Sequence, residues 1–145
     1  MKKLICLCLV LFSVLGCLSA CNFTQNMSGL KDKAESTPKV EEMMTALTEK
    51  STSDAKALMH PQIGESKNAG ISQLIDFVNG RSLKSLELTN INFSSAIGTS
   101  GNQKQEQTTF KASLSDGDII YITAVYLSND AGAGFISFQI VLGAV

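Results

Sequence analysis

The sequence predicts an α+β domain, with N-terminal helices packed on a curved antiparallel sheet of about four strands. Three observations predict it. Apolar residues recur at helical spacing from Val40 to Val78. From Leu83 onward the spacing changes to the period of two that a strand requires. Helical and extended segments are also segregated along the chain, which favours helices gathered on one side of an antiparallel sheet.

The first helix is expected from Thr37-Pro38. Thr37 would cap it, Pro38 suits the first helical position, and Glu41 and Glu42 favour its positive end. Val40, Met43, Met44 and Leu47 then form one apolar stripe. Ser53 would cap a second, short helix with Ala57, Leu58 and Met59 inward, ended by His60-Pro61. A third helix spans Gly70 to Gly80, with Ile71, Leu74, Ile75 and Val78 at helical spacing, Phe77 adjacent and Gly80 as its C-terminal cap.

Four extended segments follow. Residues 83–97 carry Leu83, Leu86, Leu88, Ile91, Phe93 and Ile97, and the alternation slips near Thr89-Asn90, where a bulge is expected. Residues 106–115 alternate cleanly, with Thr108, Phe110, Ala112 and Leu114 on one face. Asp116-Gly117 signals a tight hairpin. Residues 118–128 are apolar on both faces: Ile120, Ile122, Ala124 and Tyr126 on one, Ile119, Tyr121, Val125 and Leu127 on the other. Such a strand belongs at the centre of a sheet or is covered on both sides. A loop from Asn129 to Gly134 leads to a last strand with Ile136, Phe138, Ile140 and Leu142 on one face. The expected core is Val40, Met44, Leu47, Leu74, Ile75, Phe110, Ile120, Ile122 and Phe138.

The first twenty residues have a different composition. Lys2 and Lys3 precede an apolar run from Leu4 to Leu15, interrupted by Ser13 and too short for a comfortable membrane span. The run ends in Leu18-Ser19-Ala20-Cys21. These four residues resemble the lipobox of bacterial lipoproteins. Val14-Leu15-Gly16-Cys17 is a poorer match, because leucine at the third position before the cysteine fits the pattern better. The resemblance implies cleavage before Cys21 and acylation of its sulfur with diacylglycerol and palmitate-type chains. It places the protein on the cell membrane or outer membrane, lipid-anchored and extracytoplasmic. All four cysteines, at positions 6, 8, 17 and 21, lie in this leader, so the remainder has no disulfide to rely on. The expected organisation is a signal peptide over 1–20, a lipidated tether over 21–37 and the α+β domain over 38–145.

Charge and composition exclude several classes. Of 145 residues, 44% are hydrophobic, which excludes a wholly disordered chain. Removing residues 1–20 takes away Lys2 and Lys3 of 12 basic residues and none of 13 acidic ones, leaving 10 against 13 and a net charge of −3. No basic cluster remains, so nucleic acid is not an expected partner. One histidine and no cysteine beyond the leader leave too few ligands for the common zinc sites. No metal or other cofactor is expected.

The order of a long amphipathic helix, a short helix near Ala57-Leu58-Met59-His60-Pro61, a third helix and a curved meander resembles the nuclear transport factor 2 superfamily over about residues 38–143. That family shares its cone-shaped fold with ketosteroid isomerases and with many small bacterial lipoproteins. The resemblance implies either a binding module or a small cone-cavity enzyme of isomerase or dehydratase type.

The residues themselves favour binding. His60, the only histidine, stands at a helix end, where it would cap the last carbonyls rather than act as a general base. Asp76 reads as a solvated helix residue. Tyr121 and Tyr126 would be packed, with hydroxyls at the rim. Asp116-Gly117-Asp118 lacks the loop ligands of a calcium site, and Gly98-Thr99-Ser100-Gly101 is not placed between a strand and a helix as phosphate loops are. No nucleophile signature is present, so no catalytic residue is assigned. The expectation is a non-catalytic binding or interaction module, held at the membrane by lipid on Cys21. Its partner would be an unknown protein or a small apolar ligand. A homodimer through the sheet is also expected, because Tyr121, Val125, Leu127 and Ile119 would otherwise face water.

Overall fold

The computed structural model describes residues 34–98 and 101–143. The leader, Cys21 and most of the expected tether lie outside the described residues, as do Thr99 and Ser100. The helices are α1 (Ser36–Thr48), α2 (Thr52–Ala57) and α3 (Lys67–Val78), with a 3-10 turn over Pro61–Ser66 before α3. The strands are β1 (Leu83–Gly98), β2 (Gly101–Leu114), β3 (Ile119–Asn129) and β4 (Gly132–Leu142). They form one antiparallel sheet in the order β1-β2-β3-β4, which does not close on itself. The fold is therefore α+β, with the helices on one face of a curved sheet.

The helical stripe does what its spacing requires. Val40, Met43, Met44 and Leu47 are fully buried. They meet Ile71, Leu74 and Val78 of α3 and the inward residues Phe110, Ala112, Leu114, Ile120, Ile122 and Ala124 of the sheet in one cluster. Of the expected core, only Ile75 is not fully enclosed; it is half-buried at the edge of that cluster.

Helix ends depart from the expectation. α1 begins at Ser36, so Pro38 holds the third helical position, and Thr37 lies inside the first turn instead of capping it. Thr37 Oγ1 is buried without a hydrogen-bond partner. At the other end, Lys50 takes a left-handed conformation (φ 59°). Ser51 N–H donates to Ala46 O at 2.9 Å and Lys50 N–H to Leu47 O at 3.2 Å, a Schellman closure. Ser51, not Ser53, then caps α2, because the chain has already turned at Lys50. α2 is too short to present a broad face. Ala55 is its buried residue, Ala57 is exposed, and Leu58 and Met59 lie half-buried against the core.

In the sheet, β1 shifts register between Leu88 and Asn90, where the sequence slips, and again between Leu83 and Ser85. The β2–β3 hairpin turns at Gly117, whose φ of +96° suits glycine. Asn129 pairs with Gly132, so the expected loop is only a two-residue turn and β4 starts at Gly132. A register shift between Val125 and Tyr126 inserts Ile136 as an extra residue on β4. Phe135 and Phe138 both point inward as a result, edge-to-face with each other, and Phe135 is also edge-to-face with Tyr126. Strict alternation from Ile136 fails for this reason: Ile136 is half-buried, and Leu142, at the end of an edge strand, is 58% exposed.

The outer face also differs from the expected row of four apolar residues. Leu127 is buried and Val125 half-buried, while Ile119 and Tyr121 remain exposed beside Val141. Phe110 sits fully buried at the centre of the inner face. Phe110→Ala is expected to cost about 3–5 kcal/mol in denaturant melts, the transfer loss plus the cavity left behind.

Candidate functional site

The inner face is apolar toward the C-terminal end of α1 and becomes polar at its N-terminal end. β2 continues its alternation beyond Thr108 to Glu106, so the glutamate points inward under the start of α1 and is 2% exposed. An interior carboxylate is costly unless hydrogen-bonded. Here Ser36 N–H donates to Glu106 Oε1 at 3.1 Å and Glu35 N–H to Oε2 at 3.2 Å. The Ser36 hydroxyl donates to Oε1 as well, and Ser36 Oγ lies 3.2 Å from Thr108 Oγ1. Glu35, at the N-cap, makes no side-chain cap of its own. Glu106 therefore caps α1 across 70 residues of sequence and places a negative charge at the positive end of the helix.

Ionic and aromatic groups surround this cap. Lys104 Nζ pairs with Glu35 at 2.6 Å, and that bond, helped by the nearby Glu106, holds the ammonium pKa above its ordinary value. Tyr126 faces the same end, and its burial raises the phenol pKa. Phe93 stands beside Glu106 in register and is 44% exposed.

His60 is enclosed, with no solvent exposure, where the chain leaves α2. It does not cap that helix. Its backbone N–H donates to Phe135 O at 2.9 Å, while Phe135 N–H donates to Leu58 O, so Leu58–His60 lies along the edge of β4. The ring Nδ1 accepts from Gln62 N–H at 3.2 Å. Nε2 therefore carries the proton and donates toward Asn129 Oδ1 at 3.1 Å and Gly132 O at 3.2 Å. Both nitrogens are spent on fastening the β3–β4 turn. Gly134 permits this approach, because a Cβ there would stand 2.5 Å from His60 N.

Arg81 makes a third link. Its Nε donates to Val78 O at 2.9 Å and its Nη2 to Phe77 O at 2.5 Å, at the C-terminal end of α3. Nη1 meets Asp116 at 2.9 Å and Asp118 at 2.8 Å in the β2–β3 turn. The two aspartates are engaged by this guanidinium, and among the described residues no group of three or more metal-ligating side chains occurs. Asp76 is exposed on α3, and Tyr121 lies on the outer face, away from Tyr126. The structure therefore does not bring His60, Asp76, Tyr121 and Tyr126 together.

A groove of about 570 Å³ opens between α1 and α2. It is lined by Glu41, Glu42, Glu49 and Asp54 with Pro38 and Leu58 among the apolar residues. Glu42 is paired with Lys39 at 2.8 Å. Chemically, the groove offers carboxylates in open solvent, without a partner acid or an enclosed floor.

Set against protein-family models, curated proteins and solved structures, the chain matches none.

Glu106 was the residue that sequence reasoning missed. The signal was present in the period of β2, where 106 shares the face of 108 and 110, but its partner lies far away in sequence. Glu106→Ala is expected to lower stability by about 1.5–3 kcal/mol, with hydrogen exchange rising first at the start of α1. The guanidinium of Arg81 holds the Asp116 carboxyl below the ordinary 3.8 of an aspartate. A depressed folded value means that the link stabilises the fold above pH 3.8 and is lost as pH falls through the folded value. In Arg81→Met the Asp116 carboxyl, followed by NMR titration, should move up toward 3.8.

Proposed function

We propose that the protein is a lipid-anchored, extracytoplasmic module that acts by binding rather than by turnover. The observation that carries this is the condition of its interior polar groups. Glu106 is consumed by the first turn of α1, and His60 by the β3–β4 turn. A general base must instead reach a substrate proton within hydrogen-bond distance. The open groove between α1 and α2 supplies no enclosed floor on which a reacting molecule could be held away from water.

The membrane part rests on Leu18-Ser19-Ala20-Cys21 and on the absence of cysteine after it. Absence of a long apolar helix among the described residues is compatible with a lipid anchor. The order of helices and meander supports a nuclear transport factor 2-like assignment of the domain. The rival reading, a small cone-cavity isomerase or dehydratase, draws on Glu106, Thr108 and Tyr126 sharing the inner face, with Ser36 of α1 hydrogen-bonded to the first two.

Two measurements separate these. Wild-type protein should enter the detergent phase with a diacylglycerol-type adduct in its intact mass, and Cys21→Ser should stay aqueous or remain an uncleaved precursor. An unmodified Cys21 in the mature protein overturns the anchor. Ultraviolet assay on a β,γ-unsaturated ketone should show no isomerisation above buffer; a rate abolished by Glu106→Gln overturns the binding reading in favour of the enzyme.

A further inference from the structure

The outer face of the sheet is chemically unlike the rest of the molecule. A cross-strand row runs Glu87, Lys111, Tyr121, Val141 from β1 to β4. Tyr121 is 38% exposed and Val141 52%, with Ile119 exposed beside them. Neither Glu87 nor Lys111 forms an ion pair among the described residues. Serine, threonine, asparagine and glutamine fill the other outward positions in register with β3 from Ile119 to Val125, so the two charges of the row cancel. The helical side presents Glu41, Glu49 and Asp54 together with Lys50, Lys56 and the Lys39–Glu42 pair.

That difference decides how two copies of an acidic chain can meet. The helical sides are well-solvated mosaics of both charges, so stacking two of them would strip water from charged side chains with little apolar gain. In register with β3 from Ile119 to Val125 the outer face carries no net charge, and it holds the exposed Ile119, Tyr121 and Val141. Size also fits. Four strands about 4.8 Å apart and about 36 Å long present roughly 700 Å² per copy, or about 1,400 Å² for two. Stable interfaces bury about 1,200–2,000 Å² in total.

The geometry points to a second copy of this chain as the occupant of the outer sheet face, two sheets stacking about a two-fold axis. A two-fold presents the same patch from both sides, so a neutral face with one lysine and one glutamate is complementary to itself. Aligned sheets stack at about 10 Å, which leaves room for Tyr121 and Val141 to interdigitate with the opposing face. This rests on the interaction-module reading and names its partner.

Sedimentation equilibrium of the full chain in density-matched detergent, across a concentration series, tests it. The expected protein mass is that of two chains. Tyr121→Lys combined with Val141→Lys should give the mass of one chain with a cooperative thermal melt retained, its midpoint lowered only by the lost association, whereas Glu49→Lys on the helical side should leave two. Should the double variant fail to fold, Lys111→Glu decides. It makes the face acidic and should weaken association about tenfold or more at low salt, with recovery at high salt. A one-chain mass throughout, or a two-chain mass that neither the double variant nor Lys111→Glu alters, overturns the pairing. A one-chain mass leaves the binding reading standing, and turnover by an intact dimer removes that reading while leaving the pairing.

Discussion

The carboxylate of Glu106 under the first turn of α1 is the contact on which the arrangement of layers depends. Apolar burial brings a helix onto a sheet but is non-directional, so a smooth stripe such as Val40, Met44 and Leu47 would tolerate sliding along the sheet. The cap removes that freedom. Glu106 accepts from two backbone N–H groups and a hydroxyl, and each has a required distance and direction. The start of α1 is thereby fixed over β2, and its C-terminal end is carried to the Arg81 end of the sheet. There Thr48 Oγ1 donates to Arg81 O at 3.0 Å, which ties the C-terminal end of α1 to the connection between α3 and β1.

Local periodicity was enough for most of the architecture. The stripe of α1, the inward row Phe110, Ala112 and Leu114, the slip at Thr89-Asn90 and the turn at Gly117 depend on neighbours within a few residues, and all were legible. What was not legible depends on distant partners. Thr37 looks like a cap because its type suits one, but the cap that forms comes from β2. Strict alternation puts Phe135 on the face opposite Phe138, because the bulge at Ile136 that changes the phase of β4 is announced by nothing before it. His60 reads from sequence as a cap on the last carbonyls of α2, but its partners, Asn129 and Gly132, become neighbours only when the Leu58–His60 segment lies along β4.

The same division runs through the charged groups. Charged groups that stay exposed, such as the carboxylates of the α1–α2 groove, lack the enclosure that would shift and focus them. The enclosed Glu106 and His60 are already hydrogen-bonded within the fold. Burial and availability are thus separated in this molecule: Glu106 and His60 are deep and committed, while Glu41, Glu49 and Asp54 are accessible and solvated. Binding through a surface requires no such combination, and a sheet face with little charge is the surface on which desolvation costs least.

Residues 34–143 contain no cysteine, so no covalent link closes the long loops of this fold. Three polar links join distant parts of the chain instead: Ser36 with Glu106, His60 with Asn129, and Arg81 with Asp116, separated by 70, 69 and 35 residues. They differ from disulfides in one physical respect. A disulfide restrains the unfolded chain and so stabilises by raising its free energy. A hydrogen-bonded link exists only when both partners are already in place, and contributes nothing to the unfolded state. Each link therefore presupposes the elements on both of its sides: α1 and β2, the Leu58–His60 edge and the β3–β4 turn, the end of α3 and the β2–β3 turn. Loss of any one frees an element that the other two need, since α1 packs with α3 and β2 pairs with β3. Cooperative unfolding follows from this interdependence rather than from the size of any single contact.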